Sequence, residues 1–156
     1  MLAFPAMLAT AAGTPDPHTG LLPSAVDYSA TLLPVRSDVI AWKMLGEVKP
    51  ANEGGKIVPV FTHAIRALDK QQVKVQGFMM PVETDPVHKH FVLTPVPPSC
   101  PFCMPAGPEA MVEVRLKTGI HFSNSPIVVA GKFSVRDDDP RGVFYSLTEG
   151  EQVVMH

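Results

Sequence analysis

Residues 73–83 read VKVQGFMMPVE. Val73 and Val75 alternate with Lys74 and Gln76, the period of a strand that buries one face. Gly77 interrupts the strand, an apolar run follows, and Pro81 ends it. Four stretches downstream share this character: HFVLTPV at 90–96, MVEVRLK at 111–117, PIVVAGKFSV at 126–135 with Gly131 in mid-strand, and GVFYSLTE at 142–149. Turn signals separate them, the clearest being RDDDPRG at 136–142. Short strands at regular spacing indicate an antiparallel barrel or sandwich. An internal glycine in two of the strands favours a strongly coiled barrel, where it relieves a bend or admits a close neighbour. The expected fold is mostly β, a small antiparallel OB-like barrel of about five strands, with a small sandwich as the alternative. Its interior is assigned to Val73, Val75, Phe91, Leu93, Val112, Val114, Val128, Phe133 and Tyr145.

Upstream of the barrel the pattern is less regular. Residues 13–34 are rich in Pro, Gly, Ser and Thr and read as an extended lead-in. In SDVIAWKMLGEVKP, 37–50, Ser37 or Asp38 caps a short helix, or VIAWKML is a buried strand; periodicity fits both. ANEGGK, 51–56, is a flexible turn. FTHAIRALDKQQ, 61–72, places Phe61, Ile65 and Leu68 at helical spacing. The chain thus divides into residues 1–12, a partly helical N-terminal extension over 13–70, and the barrel over 71–156.

A chain of 156 residues suits one domain. With 46% hydrophobic and 18% charged residues it has enough apolar surface for a core. The 17 prolines exclude long uninterrupted helices. A formal charge of −2 gives no electrostatic reason to expect nucleic acid or an anionic membrane as partner. No apolar run reaches the ~18 residues of a membrane-spanning helix. Residues 1–12 are apolar and small, and Ala9-Thr10-Ala11 fits a secretory cleavage site, so they read as a signal-peptide remnant without its basic n-region. The expected location is periplasmic or otherwise exported. Neither cysteine lies near the start, so a lipid anchor is not supported.

Taken together, VKVQGFMMPVE, HFVLTP, SCPFCMPAGPEAMVEV, IVVAGKFSV and VFYSL resemble an exported bacterial family, the domain of unknown function 3299. The upstream AWKMLGEV and FTHAIRALDKQQV fit its lead-in, so the resemblance spans roughly residues 40–150. It implies an envelope protein, periplasmic or lipid-anchored, sometimes encoded beside an ABC transporter of the MacB type. It implies no established activity.

Both cysteines, Cys100 and Cys103, stand in VPPSCPFCMPAGPEAM, 96–111, where Pro occupies six of the fourteen positions 95–108. Pro105, Gly107 and Pro108 prevent a helix after Cys103, and no βαβ pattern surrounds the pair, which argues against a thioredoxin-type site. Three readings stand: a stiff structural or recognition loop with Pro98, Phe102 and Met104 at its surface, a zinc or Cu(I) site, and thiol–disulfide exchange. In an oxidising compartment the pair can close a disulfide. A closed zinc site needs two more ligands. His88 and His90 would share a strand face, and His121 is a looser candidate. A strand from His90 to Pro95 spans roughly 15 Å, which separates the histidines from the cysteine loop. Glu83 and Asp85 near His88 read as surface groups, and DDDP at 137–140 reads as a polar hairpin turn lacking EF-hand spacing. Trp42 and Phe78 are assigned to the core. No phosphate loop, nucleophile elbow or HExxH motif occurs, so no catalytic residue is assigned and no cofactor is required. The favoured role is a non-enzymatic periplasmic module that binds a cell-envelope protein, such as a transporter component. Metal handling is the alternative, and thiol exchange the outsider.

Overall fold

The computed structural model describes residues 25–99 and 107–154. Five strands, β3 (Gln72–Pro81), β4 (Val87–Thr94), β5 (Val112–His121), β6 (Ile127–Val135) and β7 (Tyr145–Val153), close into a barrel in the order β3-β4-β5-β7-β6. The first three form a meander. β6 crosses over to pair with β3, and β7 fills the gap between β5 and β6. The closed five-stranded barrel is the one expected from the strand spacing, and its strand order is that of an OB-like Greek key. One pair departs from the all-antiparallel barrel expected: β5 and β7 are parallel, with Val112 opposite Tyr145. The crossover through β6 brings β7 back along β5 in the same direction.

Val75, Phe91, Leu93, Val112, Val114, Phe133 and Tyr145 are fully buried in one core, and Val73 packs on its margin. Val128 corrects the expected interior. It lies opposite Gln76, whereas Val129 lies opposite the inward-facing Val75. Val128 is therefore buried on the outer face, and Ile127 and Val129 fill the interior instead. A run of three apolar residues, Ile127–Val129, hides which parity faces inward. Trp42 and Phe78 are buried, as assigned. Gly77 and Gly131 are required by proximity, not by unusual dihedrals. A Cβ at Gly77 would lie 2.8 Å from the Thr94 carbonyl oxygen, and one at Gly131 would lie 2.7 Å from that of Thr148.

The upstream chain is more structured than its composition indicates. The lead-in is helical over α1 (Ala25–Leu32), whose AVDYSATL contains neither of the breakers Pro and Gly. VIAWKML resolves as the short helix α2 (Trp42–Leu45), with Ala41 at its N-cap. Asp38 caps nothing and instead pairs with Arg36 at 2.9 Å and Lys74 at 3.0 Å. Just before α2 the chain runs along β3: the Ile40 amide donates to the Lys74 carbonyl at 2.9 Å, and Trp42 Nε1 donates to the Gln76 carbonyl at 2.7 Å. The helix predicted near residue 65 is α3 (His63–Ala67), capped by Thr62 Oγ1, which accepts from the Ile65 amide at 3.3 Å.

ANEGGK holds the expected turn, narrowed to Gly54–Gly55 at the end of a hairpin in which β1 (Lys49–Glu53) pairs with β2 (Lys56–Val60). Gly54 and Gly55 have φ of 59° and 84°, which a two-residue type I′ turn demands. Pro50 stands opposite Pro59. Proline has no N–H, so this pair occupies a non-hydrogen-bonded position and each outer edge of the hairpin lacks a donor.

Trp42, Leu45, Phe61 and Ile65 of the extension join the barrel residues in a single core. The Tyr145 hydroxyl fastens the two, donating to the Leu45 carbonyl at 2.7 Å from a fully buried ring. Burial, with the Glu109 charge, raises its pKa, so the donor stays protonated. Tyr145→Phe strands that carbonyl and should cost about 1–2 kcal/mol, read as a lower denaturant midpoint at unchanged slope. An unchanged midpoint would show that the bond contributes nothing.

Candidate functional site

The predicted histidine pair does not form one site. A bulge between His88 and His90 breaks the strand alternation, so the two do not share a face as expected. His88 pairs with Ile120, which packs on the core, and is buried with Nδ1 unpartnered among the described residues. His90 lies opposite Arg115 and its Nε2 is 2.8 Å from Glu113 Oε1. His121 is exposed, with Nδ1 3.1 Å from the Pro86 carbonyl. Among the described residues no group of three or more His, Cys, Asp or Glu is arranged to hold a metal ion. Cys100, Cys103, Phe102 and Met104 lie outside the described residues; Pro98, just before them, is exposed.

The strongest polar constellation centres on Glu113, a residue that alternation places on the outer barrel face. It is only 3% exposed. Arg141 grips it with both terminal nitrogens, at 2.8 and 3.1 Å, and Arg136 Nη1 reaches it at 3.2 Å. Arg115 lies at 3.5 Å, and His90 in turn stands 3.6 Å from Glu83. Asp139 completes the network, accepting from Arg136 Nη1 at 2.7 Å and from the Arg141 amide at 2.8 Å. Burial raises the Glu113 pKa, but hydrogen bonds from Arg141 and His90 and the charges of Arg141 and Arg136 outweigh it and hold it at about 2. The Arg141 amide, with both arginine side chains, holds Asp139 at about 2 as well. A carboxylate so engaged stays ionised at neutral pH and is a poor proton carrier. The network therefore ties the β6–β7 loop to the sheet.

The other two aspartates of DDDP are also paired, Asp137 with Arg66 of α3 and Asp138 with Lys56 of β2 at 2.5 Å. The turn reading holds, and each carboxylate faces a base from this chain. No local sequence signal exposes the hub, because Glu113 meets Arg136 and Arg141 across 23 and 28 residues. The basic residues flanking the aspartate run were the available hint.

A groove of about 590 Å³ lies where α1, α2 and the β1–β2 hairpin meet the barrel. Val48, Ile57, Val58 and Phe144 contribute apolar walls, and Pro108 and Glu109, which follow the cysteines in sequence, form part of its border. Lys43, Lys49, Glu47 and Glu109 border it, two charges of each sign with no ion pair between them. Ile57, at its wall, is 74% exposed.

The family model for a protein of unknown function (DUF3299) matches residues 39–148. The chain belongs to this family. A crystal structure of a DUF3299 family protein from Pseudomonas aeruginosa PAO1 is 20% identical and superposes with a TM-score of 0.48, over 63% of this chain and 69% of that one. No curated protein matches the sequence. Among the described residues of this DUF3299 protein, no helix is long and apolar enough to cross a membrane.

Proposed function

We propose that this DUF3299 protein is an exported, non-enzymatic interaction module that binds an uncharged, apolar segment of a cell-envelope protein, such as a transporter component. The observation that carries the reading is the groove beside the hairpin, with Ile57 held out to solvent at its wall. A concave site lined largely by apolar side chains suits an apolar ligand segment. The balanced lysines and glutamates around it favour an uncharged segment. Pro50 and Pro59 blunt the hairpin edges, so the partner engages side chains in the groove instead of adding a strand. The small-residue motif at Ala9–Ala11 supports export.

A photo-crosslinking amino acid at Ile57, in cells expressing the full chain, tests the proposal. The expected result is one discrete adduct with an envelope protein, absent when the crosslinker stands at Lys117 and abolished by Val58→Asp. Equal labelling from both positions, or none from Ile57, would sink the binding reading. Recovery of the protein in the cytoplasmic fraction would overturn export.

A further inference from the structure

A second pocket, of about 260 Å³, opens between the end of α1, the chain from Pro34 to Ile40, and α2. We infer that it binds a small carboxylate with a flexible apolar tail. Leu33, Val39, Ile40 and Trp42 supply apolar walls. One polar side chain, Gln76, lines it from β3, and this residue is only 2% exposed. Its Nε2 is buried with no hydrogen-bond partner among the described residues. A buried donor without an acceptor is costly, so natural structures rarely keep one unless something else completes it. The terminal torsion of a glutamine is soft, so this amide is free to turn toward a ligand oxygen. An acceptor oxygen from a ligand would satisfy it.

The charges around the pocket give the sign of that acceptor. Arg36 and Lys43 line it, and no acidic side chain does among the described residues. Arg36 uses Nε and Nη2 on Asp38, and Lys43 has no ion-pair partner among the described residues. An ionised oxygen therefore meets a donor within and cations around it, while the tail lies on the apolar walls. At ~30 Å³ per water-sized group, the pocket admits about nine non-hydrogen atoms, close to the ten of octanoate. Lys43 borders both this pocket and the groove proposed for the protein partner, whereas Gln76 and Trp42 line this pocket and not the groove, so either site can fail without the other.

Trp42 is the chain's single tryptophan and lines the pocket, so its fluorescence reports on this site. Its indole bonds the Gln76 backbone, not the side chain, so the reporter survives substitution of the amide. Octanoate titrated into the full chain should change the emission saturably, with a Kd of about 1 mM or below. Octanol, equal in length and uncharged, should bind about tenfold more weakly, and Gln76→Leu should weaken octanoate by about tenfold. Lys43→Met, an exposed substitution that leaves folding intact, should weaken octanoate and not octanol. No saturable change would overturn the inference, as would equal binding of octanoate and octanol. If Gln76→Leu loses its native circular dichroism, the octanol comparison and Lys43→Met decide.

Discussion

Gly131→Val is expected to destabilise the protein by about 3 kcal/mol or more. The nearest obstacle to a side chain is backbone: the Thr148 carbonyl oxygen at 2.7 Å, then Leu147 Cγ at 3.0 Å and Gly150 Cα at 3.2 Å. β7 cannot retreat from β6 without breaking ladder bonds on both sides of the bulge between Ala130 and Lys132. Alanine already places the offending Cβ, so Gly131→Ala should account for much of the loss. Gly77→Val should behave alike, because its Cβ would meet the Thr94 carbonyl oxygen at 2.8 Å and the Trp42 ring at 3.3 Å. Denaturant midpoints of the three variants against the parent are the measurement. A Gly131→Ala variant within about 0.5 kcal/mol of the parent, the range of neutral surface changes, would show that the strands yield and the explanation is wrong.

Glu113→Gln should lower stability by about 2 kcal/mol at neutral pH. This is less than the 3–5 kcal/mol of a fully buried broken pair, because Arg141 and Arg115 reach solvent and can be rehydrated. The same residue sets an acid limit. Its pKa in the fold, about 2, lies below the ordinary 4.5, so the unfolded chain takes up the proton first as pH falls. The stabilisation is complete above about 4.5 and drains away as pH drops toward 2, with Asp139 adding to the slope. Stability of the parent should fall through that window, and that of Glu113→Gln should fall less steeply. Parallel pH profiles for the two proteins would show that the Glu113 carboxylate is not held by its arginines.

Much of the barrel was legible because strand periodicity is local. Val112 and Val114 alternate with Glu113 and Arg115, and the core follows that parity. Legibility ended where a reading depended on another part of the chain. Ile127–Val129 has no parity of its own, and β3 decides it through the pairing of Val75 with Val129. Whether β7 runs parallel or antiparallel to β5 is a property of the crossover and not of either strand. His88 and His90 part company because of a bulge defined by β5. The Glu113 hub combines β4, β5 and the β6–β7 loop, and the groove combines helices, hairpin and barrel. Both candidate sites were therefore invisible to a reading that proceeds stretch by stretch. The motif that such a reading singles out most readily, Cys100 and Cys103, lies outside the described residues.

The bond between Tyr145 and Leu45 joins groups 100 residues apart. Strand β7 closes the barrel on both sides, so a ribosome must make nearly the whole domain before its core can form. Until then Trp42, Leu45, Phe61 and Ile65, made early, have no barrel to enter. Chains with so many distant partners fold slowly, and their unburied apolar groups attract chaperones and one another. The long reach of one hydroxyl thus makes the unfinished polypeptide a substrate for holding factors, and a premature stop before residue 145 leaves a product with no route to a closed core.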